Sequence, residues 1–485
     1  MRILDTPVPR LLWMILAVAF ALRLLGAWSG NLMYDETTHL ACAETIDLRP
    51  DHFNLVSRSV DHPPMSVYLV RLSEYLFGDS NFGIRILHAL IGALTVIPVF
   101  LLATRVISTT AGLWAAGLLA VDQFHMTWSY FIVPEVLLVF FVPLVLMQFM
   151  TATESRSGRD FAIAGLYLGL AYLAKETALF LAPALWLTLL FDRNQRRLIL
   201  DYRLYLMYLV ALLVASPDIL NNIIHLYEGY FYRDAGMLGS SWHPSLRVSI
   251  LYLGELVQHY TGPRGGFPGT GLQNPAVIYW PTGLFYLAAT TAAFLQARDN
   301  RVRLLLVTFV FVVFAFTALP SHGTEGAYWW ASISLIPAVI FAGSLLSRWQ
   351  EYLQQRGDRR VRAIGNFILL GCAIGLGIHA IQLGLRPGMD TPRKDAAARI
   401  ETALARAATA KTPQDLAKMN FMLTHTLHIT GPDAGLYGYL AEIALQENQS
   451  DKAGYFARRS LELDPQNPEA ARVSAWLQEQ KVTAD

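Results

Sequence analysis

Residues 11–36 read LLWMILAVAFALRLLGAWSGNLMYDE. The apolar run from Leu11 to Trp28 is long enough to predict a membrane-spanning helix. No small-residue cleavage site follows it, so we expect this helix to be retained rather than removed as a signal peptide. Asp35 and Glu36 therefore lie just outside the first span, at the boundary between water and lipid. A carboxylate at this boundary is suited to act as a base on a membrane-embedded substrate.

The composition of the whole chain is that of a membrane protein. Its 485 residues are 54% hydrophobic and 15% charged, with a mean hydropathy of +0.36. A soluble protein carries about 25% charged residues. Apolar runs that are candidates for spanning helices lie at 11–28, 84–104, 110–126, 132–150, 160–175, 177–191, 203–220, 277–296, 303–320, 327–346 and 363–385. The sequence thus predicts an all-α, polytopic membrane protein with about 11 transmembrane helices.

Basic residues are unevenly distributed between alternate loops. With a cytoplasmic N-terminus, the cytoplasmic loops contain many more arginines than the longer loops on the other side. The positive-inside rule therefore predicts a cytoplasmic N-terminus and an extracytoplasmic C-terminal segment. The net charge of +1 and the lack of a basic tract indicate no nucleic-acid partner. Cys42 is predicted outside and Cys372 within the last span, so we expect no disulfide.

Two external loops, 29–83 and 221–276, belong to the predicted membrane domain of residues 1–388. In the first loop, the apolar stretch between Asp61 and Gly78 predicts a juxtamembrane helix that is too short to span and lies in the membrane surface. Arg71 and Glu74 are expected to pair on this helix. The second loop is rich in Tyr, Trp, Gly and Pro. Its aromatic residues are either interfacial anchors or a surface that stacks against a sugar.

Residues 389–485 form a second predicted domain, rich in Ala, Glu, Gln, Arg and Lys. Residues 433–466 resemble a tetratricopeptide repeat (TPR), with signature positions at Tyr437, Leu440, Ala441, Ala453, Ser460 and Pro465. The stretches 393–410 and 413–428 are expected to be degenerate partners of this repeat. The alternative is a generic bundle of helical hairpins. A TPR-like tail outside the membrane would bind a protein partner.

Charged residues near the spans are concentrated at one face. Those at predicted outer ends are Asp35, Glu36, Asp122, Glu135, Lys175, Asp218, Glu255 and Glu325. A charge at the edge of the hydrocarbon is costly and indicates function by default. The set therefore predicts a polar chamber at the external face. The alternative is that each residue only marks the end of a span.

Several motifs recur along the same region. The first hundred residues contain Tyr34-Asp35-Glu36, Asp61-His62-Pro63-Pro64, Leu76-Phe77-Gly78-Asp79-Ser80, and Arg85 at the start of a span. Val133-Pro134-Glu135, Lys175 and Ala327-Tyr328-Trp329-Trp330 follow. Together these motifs resemble the GT-C glycosyltransferases of the family 39 type, which includes protein O-mannosyltransferases and the aminoarabinose transferases of lipid A. Glu135 stands where the family commonly has Asp, and no basic residue directly precedes Tyr328.

The resemblance implies transfer of a sugar from a polyprenyl-phosphate carrier to an acceptor on the extracytoplasmic face. A sugar phosphate contains its own leaving group, so one carboxylate suffices to orient or deprotonate the acceptor. We assign that role to Asp35, with Glu36 in support; the alternative for Asp35 is the N-cap of a following helix. Arg85 and Lys175 are predicted to bind the donor phosphate. The alternative for these two cations is that they snorkel to lipid headgroups.

His62, Glu135 and Tyr328 are expected to contact substrate. No cofactor is certain, although Asp35, His39 and His62 are residue types that bind a divalent metal. Two other functions are a transporter or flippase for a lipid-linked sugar and a scaffold for envelope assembly; the lack of an internal repeat disfavours transport. A bacterial inner membrane is expected, because the β-rich lumenal domain usual in eukaryotic O-mannosyltransferases is missing. The acceptor is a lipid, a glycan or a protein, and the sequence identifies neither it nor the sugar.

Overall fold

The computed structural model describes residues 9–28, 63–224, 280–318, 332–355, 396–408 and 433–484, with isolated residues in 36–46, 360–381 and 416–427. They divide into two compact units. The first is drawn from Met1–Gly30 and Val60–Arg386, the second from Asn31–Ser59 and Pro387–Asp485. The second unit thus includes residues that the sequence analysis assigned to the membrane domain, and the boundary at residue 388 stays a prediction.

Every regular element in these described residues is a helix, which confirms the predicted all-α class. The α-helices of the first unit are α1 (Arg10–Trp28), α2 (Met65–Phe77), α3 (Asn81–Leu94), α4 (Val96–Val106), α5 (Thr109–Val121), α6 (Gln123–Tyr130), α7 (Glu135–Ser155), α8 (Gly158–Ala174), α9 (Leu181–Phe191), α10 (Tyr202–Ile224), α11 (Trp280–Ala293), α12 (Asn300–Ala318) and α13 (Leu335–Gln355).

Among the described helices, five segments are long and apolar enough to cross a membrane by length and composition. They are Arg10–Trp28, Asn81–Val106, Glu135–Ser155, Tyr202–Leu220 and Ser332–Gln355. The described residues of each predicted run from 11–28 to 327–346 are largely helical, and the runs 277–296, 303–320, 327–346 and 363–385 are described only in part. The existence of apolar helices is confirmed, while the number of spans stays a prediction.

The helices of the first unit pack mainly against neighbours in the chain. Helix α8 packs between α7 and α10, and α9 packs against α12. Helix α1 packs against α3 and α6, and α5 packs against α4 and α13. The core among α1, α3, α4 and α5 contains small side chains such as Ala19, Ala93 and Ala116. Small residues at such interfaces let helix backbones approach closely, which is how membrane helices gain packing.

Two apolar runs are broken at a polar residue. The predicted run 110–126 is helical to Val121, and Asp122 then starts the separate helix α6 by accepting a hydrogen bond from the His125 N–H at 2.8 Å. Helix α8 ends at Ala174, and Lys175 has an extended backbone before a 3-10 turn at Glu176–Phe180. Each break takes a polar side chain out of the helix periodicity, and both breaks border the candidate site.

The external helix predicted before Gly78 is present as α2. It begins at Met65 after Pro64 and ends at Gly78, whose φ of +87° favours glycine. The predicted pair of Arg71 and Glu74 forms at 2.6 Å. Apolar side chains exposed on α2 are Leu72, Tyr75, Leu76 and Phe77. Such an exposed apolar face fits the predicted location in the membrane surface.

The second unit contains α14 (Ala396–Ala407), α15 (Ala434–Gln446), α16 (Ser450–Leu463) and α17 (Pro468–Ala484). Helices α15 and α16 form a hairpin in which Tyr437 stacks on Phe456, with ring centroids 6.2 Å apart. The Ser460 hydroxyl donates to the Ala434 carbonyl at 2.7 Å. Leu440 and Ala453 are buried, as the repeat pattern predicts. The identification of this hairpin as a TPR stays a prediction.

Candidate active site

The candidate site centres on a buried ion pair between Glu135 and Lys175. The Lys175 ammonium donates to Oε1 of Glu135, and the two side chains are 0% and 4% exposed. A buried ammonium is tolerated only where a partner compensates for its lost hydration. The turn between α7 and α8 is short, so the two helices run antiparallel. This brings Glu135, at the start of α7, to Lys175, at the end of α8.

Arg85, on α3, is also fully buried. Its guanidinium carbon lies 5.7 Å from the ring centroid of Phe131, within the range of a cation–π contact. Its Nη1 donates to the carbonyl of Ala27 at 3.4 Å. Neither Arg85 nor Lys175 extends along a lipid-exposed surface, so their burial does not fit the snorkelling alternative.

One stretch of chain contacts both predicted phosphate-binding cations. Phe131 lies against Arg85, and Glu135, four residues later, holds Lys175. These residues follow directly on the short helix α6, which is entirely buried from Phe124 to Tyr130. The position of α6 therefore determines where both partners of the cations lie.

Two glycines hold α6 close to its neighbours. A Cβ atom added at Gly26 of α1 would lie 2.2 Å from Cδ1 of Tyr130. One added at Gly92 of α3 would lie 2.3 Å from Cβ of Ser129. Any larger residue at either position would force the helices apart, because only glycine allows this approach. Helix α6 is thus fixed between α1 and α3.

The start of α6 is fixed by Arg23, a fully buried cation within the first span. Its Nη1 donates to the carbonyls of Ala19 and Ala120 at 3.0 Å each, and its Nη2 donates to Leu119 at 3.2 Å. Nη2 lies 2.7 Å from Nδ1 of His125, which must accept because a guanidinium only donates. The carbonyls at the end of a helix lack partners within it. Arg23 supplies those partners to α5 and links them to α6.

Asp122 connects this cluster to a further helix. Its Oδ2 accepts a hydrogen bond from the hydroxyl of Tyr286 on α11 at 3.0 Å, while Oδ1 caps α6. Both side chains are buried. The carboxylate of Asp122 and the guanidinium of Arg23 therefore belong to one buried polar network, in which each charge has hydrogen-bond partners.

A second acidic contact lies close to Lys175 in sequence. The hydroxyl of Tyr172, three residues before Lys175 on α8, donates to Oδ2 of Asp218 on α10 at 3.1 Å. Asp122, Glu135, Lys175 and Asp218 are all buried and hydrogen-bonded. Glu255 and Glu325 lie outside the described residues.

The remaining predicted site residues lie in the second unit or outside the described part of the chain. Asp35, His62 and Tyr328 lie outside the described residues. Glu36 and His39 belong to the second unit, where both side chains are buried. Glu36, His39, Leu40 and Ala43 are helical, whereas Ile46 is not.

A metal site is not defined by the part of the chain that the structure describes. No three His, Cys, Asp or Glu side chains are grouped there to bind a metal ion. Two of the three predicted ligands, Asp35 and His62, are outside that part. The divalent metal therefore stays an alternative drawn from residue type.

The sequence analysis missed Arg23, Tyr286 and Phe131. Arg23 gave a visible signal, because a charge inside an apolar run is functional by default. Tyr286 and Phe131 gave none, since aromatic residues are common throughout such spans. Their roles depend on which helices become neighbours.

Comparison with known proteins places these contacts in a family context. Residues 61–220 match the family described as dolichyl-phosphate-mannose-protein mannosyltransferase, and this range contains Arg85, Glu135 and Lys175. The oligosaccharyltransferase of Archaeoglobus fulgidus in its apo form superposes with a TM-score of 0.54 at 14% identity, over 95% of this chain and 72% of that one. ArnT from Cupriavidus metallidurans bound to undecaprenyl phosphate superposes with a TM-score of 0.53 at 15% identity, over 92% and 74%. The chain has the GT-C fold.

The GT-C fold and its apolar helices make the chain a multi-pass membrane protein. An undecaprenyl phosphate-alpha-4-amino-4-deoxy-L-arabinose arabinosyl transferase of Pseudomonas paraeruginosa is 29% identical over 266 residues. The match covers 51% of this chain and 45% of the relative, so the chain spans less than half of that protein's length. The GT-C recognition made from the motifs is confirmed, whereas the TPR assignment stays a prediction.

Proposed function

We propose that the chain is a membrane glycosyltransferase that moves a sugar from a polyprenyl-phosphate carrier to an acceptor on the extracytoplasmic face of a bacterial inner membrane. The observation that carries the proposal is the pair of buried cations, Arg85 and Lys175, held by one chain segment in a GT-C fold. The Pseudomonas relative is named for an undecaprenyl-phosphate sugar, and the ArnT structure is described with undecaprenyl phosphate. The same class of donor fits this site.

The chemistry needs charge at two places. The acceptor hydroxyl attacks the anomeric carbon, its proton passes to the carboxylate of Asp35, and the bond from that carbon to the phosphate oxygen breaks. Negative charge then accumulates on the departing carrier phosphate. Arg85 and Lys175 stabilise that charge, and because they are buried their effect is not weakened by water. Glu36 supports the carboxylate, and His62 and Tyr328 contact the sugar or the acceptor.

The role proposed for Glu135 is to position Lys175. In the structure the carboxylate faces the ammonium directly, so it keeps that charge compensated and oriented before the donor binds. When the phosphate arrives, it becomes a second anion for Lys175. Arg85 meets the same phosphate from α3, with Phe131 behind its guanidinium plane.

The proposed topology follows from the basic loops. The N-terminus is cytoplasmic, and residues 389–485 are a TPR-like domain outside the membrane that recruits a protein partner or a protein-linked acceptor. The acceptor itself is a lipid, a glycan or a protein.

The test is transfer of a labelled sugar from its polyprenyl phosphate by the purified full chain, with a membrane extract as the source of acceptor. Release or transfer that is lost in the folded double variant Glu135→Gln with Lys175→Met supports the enzyme. Movement of the intact labelled lipid across a vesicle bilayer, without cleavage of its sugar, would instead identify the transporter. If the sugar is not cleaved and the lipid does not cross the bilayer, the scaffold function is the one that remains.

A further inference from the structure

A groove between α9 and α12 lies away from the candidate active site. Its volume is about 430 Å³, within the range of small-molecule sites. Side chains that line it include Leu187, Phe191, Phe294, Val307, Val310 and Phe314. Among the described residues that line it, Arg303 alone is charged. Phe191, Phe294 and Phe314 are each more than half exposed, so the groove opens toward the hydrocarbon of the membrane.

The mouth of the groove is held open by Arg303. Its Nη1 donates to the carbonyl of Phe191 at the end of α9 at 3.1 Å, and its Nε donates to Ala297 at 3.0 Å. Its Nη2 donates to the carbonyl of Arg298 at 3.1 Å. These bonds connect the end of α9 to the chain that enters α12. The two walls of the groove are therefore linked at this end.

Positive charge surrounds this mouth. The segments 192–203 and 297–303, which adjoin it in sequence, contain seven arginines and three aspartates. Each aspartate caps its own turn: Asp192 accepts from the Asn194 N–H at 2.9 Å, Asp201 from the Arg203 N–H at 2.9 Å, and Asp299 from the Arg301 N–H at 2.7 Å. The side chains of Arg193 and Arg298 are exposed. Arg203 also pairs with Asp201 at 3.6 Å and Arg301 with Glu154 at 3.2 Å, and the arginines of these segments still outnumber the acidic residues that they meet.

We propose that this groove binds an anionic phospholipid of the membrane leaflet on the arginine-rich side. An acyl chain occupies the apolar groove between α9 and α12, and the phosphate-containing headgroup meets Arg193 and Arg298. Basic pockets between transmembrane helices bind anionic headgroups in this way. The apolar walls suit a hydrocarbon chain, and the surplus of arginine selects a negative headgroup over a zwitterionic one.

The ligand of this groove is distinct from the proposed sugar donor. Lys175 precedes α9, whereas Phe191 ends it, and α9 alone is about 16 Å long. A lipid whose headgroup lies at the Phe191 end cannot present its phosphate to Lys175. The lipid therefore has a binding role, independent of whether the chain transfers sugar.

The experiment is native mass spectrometry of the purified, delipidated full chain, titrated with phosphatidylglycerol or with phosphatidylcholine of the same acyl chains. At least one phosphatidylglycerol should bind about five- to tenfold more tightly than phosphatidylcholine. Val310→Trp fills the groove and should abolish that tight binding. Val18→Trp is the matched control, because Val18 on α1 is 48% exposed and Val310 is 44% exposed.

Separate variants test the contact between the lipid headgroup and the two exposed arginines. Arg193→Gln combined with Arg298→Gln should reduce phosphatidylglycerol binding to the level of phosphatidylcholine. Arg159→Gln, at an exposed arginine in the first turn of α8, should leave it unchanged. These surface variants keep the test open if Val310→Trp does not fold. Equal binding of the two lipids, or tight phosphatidylglycerol binding that survives in both Val310→Trp and the double arginine variant, would overturn the proposal. Lipid binding is measured without a sugar donor. Its result can therefore be interpreted even if the chain does not transfer sugar.

Discussion

Replacing one partner of the Glu135–Lys175 pair should lower the free energy of unfolding far more than replacing both partners. The side chains are no more than 4% exposed, so solvent does not screen the attraction between the two charges. Two unit charges within 4 Å attract by about 4 kcal/mol at an effective dielectric constant of about 20. Removing one partner of such a pair typically costs about 3–5 kcal/mol, because an uncompensated charge stays buried. We therefore expect Glu135→Gln and Lys175→Met each to lower the free energy of unfolding by that amount.

The double variant should be much milder than the two single changes added together. Glu135→Gln with Lys175→Met leaves no buried charge, so we expect a loss of about 1–2 kcal/mol and a coupling energy of several kcal/mol. The assay is reversible denaturation in mixed detergent micelles. The matched control is the pair of Arg71 and Glu74, which is 33% and 22% exposed. Its Arg71→Met and Glu74→Gln variants should each cost less than about 1 kcal/mol.

Activity separates the structural part of this pair from its functional part. The double variant should fold and yet fail to transfer sugar, because Lys175 no longer meets the carrier phosphate. Additive single losses would refute the inference that the two charges compensate each other. A folded double variant with parental activity would refute the phosphate-binding role of Lys175.

Three further outcomes are expected. Asp35→Asn should lower turnover by about 10²–10⁴ while donor binding persists, since the base is lost and the phosphate site is not; activity within threefold of the parent would contradict its role. Arg85→Ala should raise the KM for the donor more than the KM for the acceptor, as steady-state kinetics with each substrate varied will show; an unchanged donor KM would make Arg85 a packing residue. A chain truncated after Arg386 should still use a small acceptor but lose efficiency toward the natural one, and efficiency on the natural acceptor equal to that of the full chain would exclude recruitment by the tail.

The apolar helices were predictable because hydrophobic length decides them almost alone. The runs 84–104 and 203–220 reappear within helices at Asn81–Val106 and Tyr202–Leu220. The prediction was wrong in detail at 110–126, where the helix ends at Val121. A prediction based on hydrophobic length ignores a single carboxylate within an apolar run. In the structure Asp122 caps the separate helix α6 at that point.

The Glu135–Lys175 contact was within reach of the sequence but was not predicted. Both residues were identified, and they were given separate roles. The turn between α7 and α8 is too short for anything but an antiparallel pair, which places the first residue of one helix beside the last residue of the other. A carboxylate and an ammonium at those two positions are close together and have opposite charges, so an ion pair between them could have been predicted. The arginine network could not be read in the same way, because Arg23 bonds to the backbone carbonyls of Leu119 and Ala120, which any sequence would supply.

The two helix ends favour both charges of the buried ion pair when a phosphate joins it. Glu135 lies in the first turn of α7, where the partial positive charge of the helix stabilises a carboxylate. Lys175 is the C-cap of α8, where the partial negative charge stabilises an ammonium. Each of these terms is worth about 0.3–1 kcal/mol at an exposed helix end and up to about 2 kcal/mol where partly buried. Neither charge is therefore left wholly uncompensated when a phosphate moves in beside Lys175. Because each charge is also stabilised by its own helix end, Lys175 can take the phosphate as a second anion while Glu135 stays compensated.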